Sequence, residues 1–137
     1  MTVGNISKKK INVVAAIIFA DDGRILIAQR SANDSSGGKW EFPGGKIQPG
    51  ETSEQALHRE IEEELGIALK SAHFWKATEH AYEHIDVHLD FYRCSVAEGA
   101  PIVMNVHQRI EWVTIKDAKA YDFLEADVGI LDELAEA

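Results

Sequence analysis

The chain has 137 residues, a length typical of a single domain, and its single Cys94 excludes an internal disulfide or a cysteine-based zinc cluster. Its net charge of −9 disfavours a stable nucleic-acid partner, because an acidic surface repels the phosphate backbone of a long polymer. No apolar run approaches the ~20 residues of a membrane-spanning helix, so we expect a cytoplasmic protein with no membrane partner.

The N-terminal part of the chain is predicted to form a flexible tail, a β-hairpin and a loop. Residues 1–10 are polar and rich in lysine, and we expect them to form the tail of one domain that spans the chain. Residues 11–20 are apolar and β-branched, as in a buried strand. An Asp-Asp-Gly turn follows, and residues 24–30 alternate like the second arm of a hairpin. Residues 31–39 form a loop rich in Ser, Asn and Gly.

The middle of the chain contains the first predicted helix. Residues 40–49 form a compact segment punctuated by glycine and proline. The helix covers residues 52–65, since Thr52 and Gln55 have the spacing of a capping box and Gly66 is a natural C-terminal stop.

The C-terminal half is predicted to contain three strands and a second helix. The strands lie near residues 73–78, 86–96 and 110–115, and residues 117–121 form a short helical turn. The helix covers residues 126–137, with an apolar stripe made of Val128, Ile130, Leu131 and Leu134. Mixed strands with two substantial helices predict an α+β fold, in which the sheet is sandwiched between helices.

The first helix carries an acidic arc beside its buried stripe. At ~100° per residue, the stripe falls within about 80° and the acidic residues within about 100°. The stripe comprises Leu57, Ile61 and Leu65, and the arc comprises Glu60, Glu63 and Glu64. Such like charges weaken a helix unless a cation lies nearby, and Mg²⁺ favours carboxylate oxygens. The alternative is a solvated acidic face with no ligand.

A fixed pattern of residues surrounds this arc. It consists of Gly, five residues, Glu, seven residues, Arg-Glu, an aliphatic residue, any residue, Glu-Glu, any residue, Gly and an aliphatic residue. The positions are filled by Gly45, Glu51, Arg59, Glu60, Ile61, Glu63, Glu64, Gly66 and Ile67. The pattern resembles the motif of the Nudix hydrolases, and residues 28–30, 40–46 and 111–112 extend the resemblance to enzymes of the MutT type.

The resemblance implies a Nudix fold, with a mixed β-sheet between helices, and hydrolysis that depends on Mg²⁺ or alternatively Mn²⁺. The implied ligands are the carboxylates of Glu60, Glu63 and Glu64 and the carbonyl oxygen of Gly44. Glu51 would support the metal-bound water or an outer ion, and Arg59 would hold the glutamates by ion pairing or form a mere surface salt bridge. Glu60 is the first candidate for the general base, although members of the family differ in this role.

One position departs from the MutT pattern. The enzymes that this chain resembles carry a further metal-binding glutamate six residues before the tryptophan that corresponds to Trp112, and here that position is Val106. The ligand is absent, or one of its neighbours in the sequence replaces it: Glu98, His107, Gln108 or Glu111.

The resemblance also implies a substrate-binding set. Arg30 would face a phosphate or the base, or else be a surface charge at the end of the hairpin. Glu41 would accept hydrogen bonds from the nucleotide, and Phe42 would pack against the base or belong to the core; Pro43 and Gly44 complete this segment. Asp127 corresponds to a base-reading asparagine in MutT and is acidic in some relatives that hydrolyse CTP and modified pyrimidine nucleotides. Its alternative role is to cap the last helix.

The expected activity is cleavage of (deoxy)nucleoside triphosphates to monophosphate and pyrophosphate, with cytidine-type or oxidised nucleotides as preferred substrates. The alternatives are removal of pyrophosphate from RNA 5′ ends, and a non-catalytic module that senses nucleotides. We expect a monomer or a small homo-oligomer. A zinc site at His80, His84 and His88 is disfavoured, because their spacing of four suits a helix and this segment is partly strand-like.

Overall fold

The computed structural model describes residues 8–136. Within them the chain forms seven strands and three helices. In chain order these are β1 (Lys9–Ile18), β2 (Ile25–Arg30), β3 (Trp40–Glu41), β4 (Gly44–Lys46), α1 (Ser53–Leu65), β5 (Leu69–Ala81), β6 (Ile85–Val96), β7 (His107–Val113), α2 (Ile115–Ala118) and α3 (Glu125–Glu136). Residues 1–7 of the expected flexible tail lie outside the described residues. For Lys9 and Lys10 the prediction of a tail is wrong, because these residues begin β1.

The strands form two sheets. A four-stranded mixed sheet has the order β4-β1-β6-β5, in which β1 and β6 run parallel and the other pairs antiparallel. A three-stranded antiparallel sheet has the order β3-β2-β7.

Alternate side chains of β1 pack into two separate hydrophobic cores. Val14, Ala16 and Ile18 contact the core that contains α1, whereas Ala15 and Ile17 contact the core that contains α3. Since successive side chains of a strand point to opposite faces, α1 and α3 cover opposite faces of the central strand. The predicted α+β sandwich with a mixed sheet is therefore confirmed.

The predicted hairpin is wrong, although both of its strands exist. A single antiparallel bridge joins Phe19 to Ile25, after which β1 enters the mixed sheet and β2 enters the smaller one. Strands β1 and β2 do not form a hairpin because β1 is apolar on both faces and already pairs with β4 and β6 on its two edges. A strand that is covered on both faces is typical of a central, parallel-paired position.

Three further details differ from the sequence prediction. Strand β5 is longer than residues 73–78 because it pairs with β6 along most of its length. Ile115 starts α2 because the side chain of Thr114 accepts a hydrogen bond from the backbone amide of Asp117. On α3, Val128 is 49% exposed, and Asp127 takes its place in the buried stripe at 4% exposure.

Helix α1 has the predicted ends. Thr52 and Gln55 form a complete capping box, and Gly66 adopts a left-handed conformation with φ of 66°. No helix in residues 8–136 is long and apolar enough to cross a membrane.

His88 is expected to make the stability of the fold depend on pH. Its ring nitrogens face Glu79 and Asp90, at 2.5 Å and 2.9 Å, and the hydrogen bond to Glu79 is the main reason why its pKa is raised. Protonated His88 therefore stabilises the folded state. This contribution is fully present below about pH 6.5, the pKa of histidine in the unfolded chain, and it is lost as pH rises through the pKa of the folded protein. His88→Gln should therefore lower the free energy of unfolding at pH 6 by up to about 1 kcal/mol, and by less at pH 8.5.

Urea unfolding of both proteins at the two pH values measures this difference. His84→Gln is the matched control, since His84 is almost fully exposed. A deficit for His88→Gln that is the same at both pH values would contradict the assignment.

Candidate active site

The acidic arc of α1 is held against β4. Ala56, Leu57, Ile61 and Leu65 are buried, which turns Glu60 and Glu64 toward the strand. Gly45 permits this approach, because a Cβ atom at that position would collide with the carboxylate of Glu60. Burial raises the pKa of Glu60, and nearby Glu63 adds to the effect, whereas the charge of Arg59 opposes it.

Arg59 lies at the centre of an ion-pair network. Its Nε donates to Oε2 of Glu51 at 2.6 Å and its Nη2 donates to Oε1 of the same carboxylate at 2.9 Å. Nη2 also donates to the carbonyl oxygen of Lys46, and Nη1 lies 3.4 Å from both Glu60 and Glu63. The two hydrogen bonds from Arg59 to Glu51 lower the pKa of Glu51 to about 2. Both oxygens of Glu51 therefore accept hydrogen bonds from Arg59, which fixes the position of this carboxylate.

Glu64 points into a cavity of about 390 Å³. Its Oε1 is buried and has no hydrogen-bond partner. Burial is the main reason why the pKa of Glu64 is raised to about 8, and the charges of Glu41 and Glu60 add to the effect. A buried carboxylate oxygen without a donor is costly unless a cation satisfies it.

The carboxylates do not yet converge on one point. Glu63 is largely exposed, and its carboxylate contacts the same nitrogen of Arg59 that lies 3.4 Å from Glu60, whereas Glu64 points into the cavity. Within residues 8–136, no three His, Cys, Asp or Glu side chains are already arranged to hold an ion. The donors nonetheless fit a hard divalent cation, because they are oxygen atoms and one of them, on Glu64, is buried without a partner. Gly44, the expected carbonyl ligand, lines the same cavity.

Asp127 lies on the opposite side of the cavity from α1. Its Oδ2 accepts a hydrogen bond from the backbone amide of Phe42 at 3.2 Å, and burial raises its pKa to about 7. Helix α3 begins at Glu125, so Asp127 occupies the first turn and not the N-cap position. The prediction that Asp127 caps the last helix is therefore wrong.

Phe42 is a core residue, as one of its two predicted roles requires, and it also lines the cavity. Its ring packs against Phe91 and Phe123, with centroids 6.4 Å and 5.6 Å away. Pro43 is fully buried, and its carbonyl oxygen accepts a hydrogen bond from the amide of Ala16. Pro43 does not line the cavity itself, but it anchors the segment between β3 and β4, from which Phe42 forms part of the cavity wall.

Arg30 and Glu41 also line the cavity, together with His107. Nη1 of Arg30 donates to Oε1 of Glu41 at 3.1 Å, and Nε2 of His107 lies 2.8 Å from Oε2 of Glu41. Arg30 is thus part of the cavity wall and not a free charge at the end of a hairpin. From the sequence, His107 was only one of the neighbours of Val106 that could replace the missing ligand. Its contact with Glu41 was not predicted, since a lone histidine at the start of a strand carries no recognisable pattern.

Within residues 8–136, neither Glu98 nor Glu111 supplies the carboxylate that the MutT pattern carries at the position of Val106. Val106 lies half-exposed at the cavity rim, and Glu98 lies in the turn after β6, beside Phe19. Glu111 contacts Arg109 and the hydroxyl of Tyr121. Of the four neighbours considered, Gln108 accepts a hydrogen bond from the amide of Ala32, and only His107 approaches Glu64, at 4.0 Å from its Oε1.

Comparison with known proteins identifies relatives over most of the chain. A family model described as NUDIX domain matches residues 14–133. The CTP pyrophosphohydrolase of Escherichia coli K12 is 37% identical over 124 residues, which are 90% of each chain. The 8-oxo-dGTP diphosphatase of the same strain is 33% identical over 92% of this chain and 97% of its own. The crystal structure of the MutT NUDIX hydrolase from Burkholderia pseudomallei superposes with a TM-score of 0.80 and 28% identity, over 91% of this chain and 98% of that one.

Proposed function

The chain belongs to the Nudix hydrolase family, and on this basis we propose that it hydrolyses nucleoside triphosphates to a nucleoside monophosphate and pyrophosphate. The observation that carries the proposal is a single cavity with Glu64 on one side and Asp127 on the other. Such a cavity can hold the phosphates near the acidic arc of α1 and the nucleobase near α3. The names of the two Escherichia coli relatives support cytidine-type and oxidised guanine nucleotides as candidates for the base.

The metal proposed for this site is Mg²⁺, with Mn²⁺ as the alternative. We propose that Glu60, Glu63 and Glu64 hold it together with the carbonyl oxygen of Gly44. When bound, the ion would neutralise phosphate oxygens and lower the pKa of a water molecule. A cation at Glu64 would also remove the cost of a buried oxygen that has no donor.

The chain's own residues then have separate tasks. Arg59 holds Glu51 through two hydrogen bonds and approaches Glu60 and Glu63, so it limits the positions that these carboxylates can adopt. We propose that Glu60 takes the proton of the attacking water at its carboxylate. The ring of Phe42 gives the cavity an apolar wall beside Asp127, against which a base can pack. We also propose that the whole chain is one catalytic domain, since the family model spans residues 14–133.

The position of attack is testable through the products. If water attacks the β-phosphorus, hydrolysis of a triphosphate in ¹⁸O-labelled water should place the label in pyrophosphate and leave the nucleoside monophosphate unlabelled. Mass spectrometry of both products measures this. Orthophosphate as the first product would refute the proposed reaction, whereas label in the monophosphate would place the attack at the α-phosphorus.

A substrate panel separates this function from its alternatives. It should contain dCTP, 8-oxo-dGTP, the other NTPs and dNTPs, and triphosphorylated RNA, compared by kcat/KM with Mg²⁺. A preference for RNA would favour the 5′-end activity, and binding without turnover would favour a sensor.

A further inference from the structure

A β-bulge turns His107 into the cavity. Strand β7 pairs with β2 in a regular register as far as Gln29, which lies opposite Arg109. The register then shifts, so that Arg30 pairs with His107 and skips Gln108. In an unbroken ladder Gln108 would face Arg30 and His107 would point to the other side of the sheet. Bulges of this kind re-aim side chains next to active sites.

The two faces of the small sheet support this assignment. On one face Arg109 lies over the ring of Trp40, 5.6 Å from its centroid. On the other face Arg30 and His107 both contact Glu41. Glu41 lies opposite Ala28, whose methyl side chain leaves room on the central strand for His107 to reach across.

His107 is built for a fixed contact and not for solvent. Its side chain is 2% exposed, and its Nε2 lies 2.8 Å from Oε2 of Glu41. Because the other oxygen of Glu41 accepts from Arg30, the carboxylate is held from two sides. Among the described residues that line the cavity, Arg30 and His107 are the only ones with basic side chains, and both contact Glu41. Each oxygen of a carboxylate has a second acceptor site, so Glu41 can still accept from a ligand.

Glu41 lies between the two ends of the cavity. Its neighbour Phe42 donates a backbone hydrogen bond to Asp127, and its own partner His107 lies 4.0 Å from Oε1 of Glu64. A carboxylate at this place adjoins residues of both ends, and it can only accept hydrogen bonds while it is ionised. Its orientation therefore affects which edge of a nucleobase fits.

We propose that His107 is a positioning residue that fixes Glu41 as a hydrogen-bond acceptor and thereby contributes to the choice of nucleobase. The inference rests on the proposed function, because it requires a nucleotide in the cavity. An acceptor held in this way favours an exocyclic amine, such as N4 of cytosine, over a carbonyl oxygen at the same position.

The test compares dCTP with dUTP, whose bases differ at position 4, where an amine replaces a carbonyl oxygen, and in the proton that uracil carries on N3. In the full-length protein, His107→Leu removes the donor, and the ratio of kcat/KM for dCTP over dUTP should fall roughly tenfold. The loss should appear in KM for dCTP, with kcat changed by less than about threefold. His107→Gln restores a donor on a side chain of similar reach and should restore most of the ratio.

Three controls isolate the mechanism. His84→Leu changes an exposed histidine and should leave the ratio unaltered. In a Glu41→Gln background, His107→Leu should change the ratio no further, because its effect acts through Glu41. Thermal unfolding of the Leu and Gln variants shows whether both are folded.

The outcomes are distinct. An unchanged ratio in His107→Leu, or an equal loss with both nucleotides, overturns the inference and leaves the proposed function intact. If the unmodified protein hydrolyses no nucleoside triphosphate, the proposed function itself fails. If His107→Leu does not fold, the ratio of kcat/KM for dCTP over dUTP is compared between His107→Gln and His107→Asn. Equal ratios overturn the inference, and a higher ratio for His107→Gln supports it.

Discussion

Replacing Glu64 with glutamine is expected to remove nearly all turnover while leaving the fold intact. Glutamine has almost the same shape, but its amide cannot replace an ionised carboxylate as a ligand for a hard cation. We expect kcat with Mg²⁺ to fall by about three orders of magnitude. Steady-state kinetics with the best triphosphate measures this. Glu62→Gln is the matched control, since Glu62 is exposed on the same helix and should retain activity. Near-normal turnover in Glu64→Gln would refute the proposed ligand.

The same substitution should stabilise the metal-free protein. The pKa of Glu64 is raised to about 8, mainly by burial, so ionisation opposes folding increasingly as pH rises from 4.5, the ordinary pKa of a glutamate, toward 8. Glutamine carries no such charge. In EDTA, Glu64→Gln should exceed the unmodified protein in free energy of unfolding by on the order of 2 kcal/mol at pH 7, and by little at pH 4.5. Mg²⁺ should then stabilise the unmodified protein more than the variant.

Local signals in the sequence predicted the helices well and the strand partners poorly. Thr52, Gln55 and Gly66 fix the ends of α1 through contacts only a few residues apart, so the pattern alone suffices. The partner of β2 is different, because β7 lies far along the chain and its pairing depends on which sheet edges are free. An apolar run followed by a turn suggests a hairpin, and nothing local shows that β1 already pairs with β4 and β6.

The site shows the same division. The spacing of Glu60 and Glu64 on one helix predicted that both face one side, and burial of Ile61 beside them gives that result. His107 was named only as a possible ligand, and its contact with Glu41 was missed, because that contact depends on a register shift between two strands that leaves no mark in the sequence. The apolar stripe predicted for α3 did not include Asp127, since an acidic residue on a helix normally faces solvent.

The choice of nucleobase is expected to change with pH through Asp127. This carboxyl is buried and its pKa is raised to about 7, mainly by burial, although the hydrogen bond from Phe42 opposes the shift. Below pH 7 the protonated group can donate a hydrogen bond to a keto oxygen, as on an oxidised guanine. Above pH 7 the ionised group only accepts, which suits the amine of cytosine. The ratio of kcat/KM for dCTP over 8-oxo-dGTP should therefore rise by up to about a hundredfold between pH 6 and pH 8, because the ratio of ionised to protonated Asp127 changes by that factor.

Asp127→Asn separates this effect from every other titration in the site. Its amide donates at all pH values, so the ratio should be low and independent of pH, and dCTP should lose ~1–3 kcal/mol of discrimination. Because both substrates share the glutamates of α1, the ionisation of those residues cancels in the ratio. Asn also retains a side-chain oxygen that can accept the hydrogen bond from the amide of Phe42, so the wall of the cavity should persist. A ratio in the unmodified protein that stays constant from pH 6 to pH 8, and is unchanged in Asp127→Asn, would remove Asp127 from base recognition.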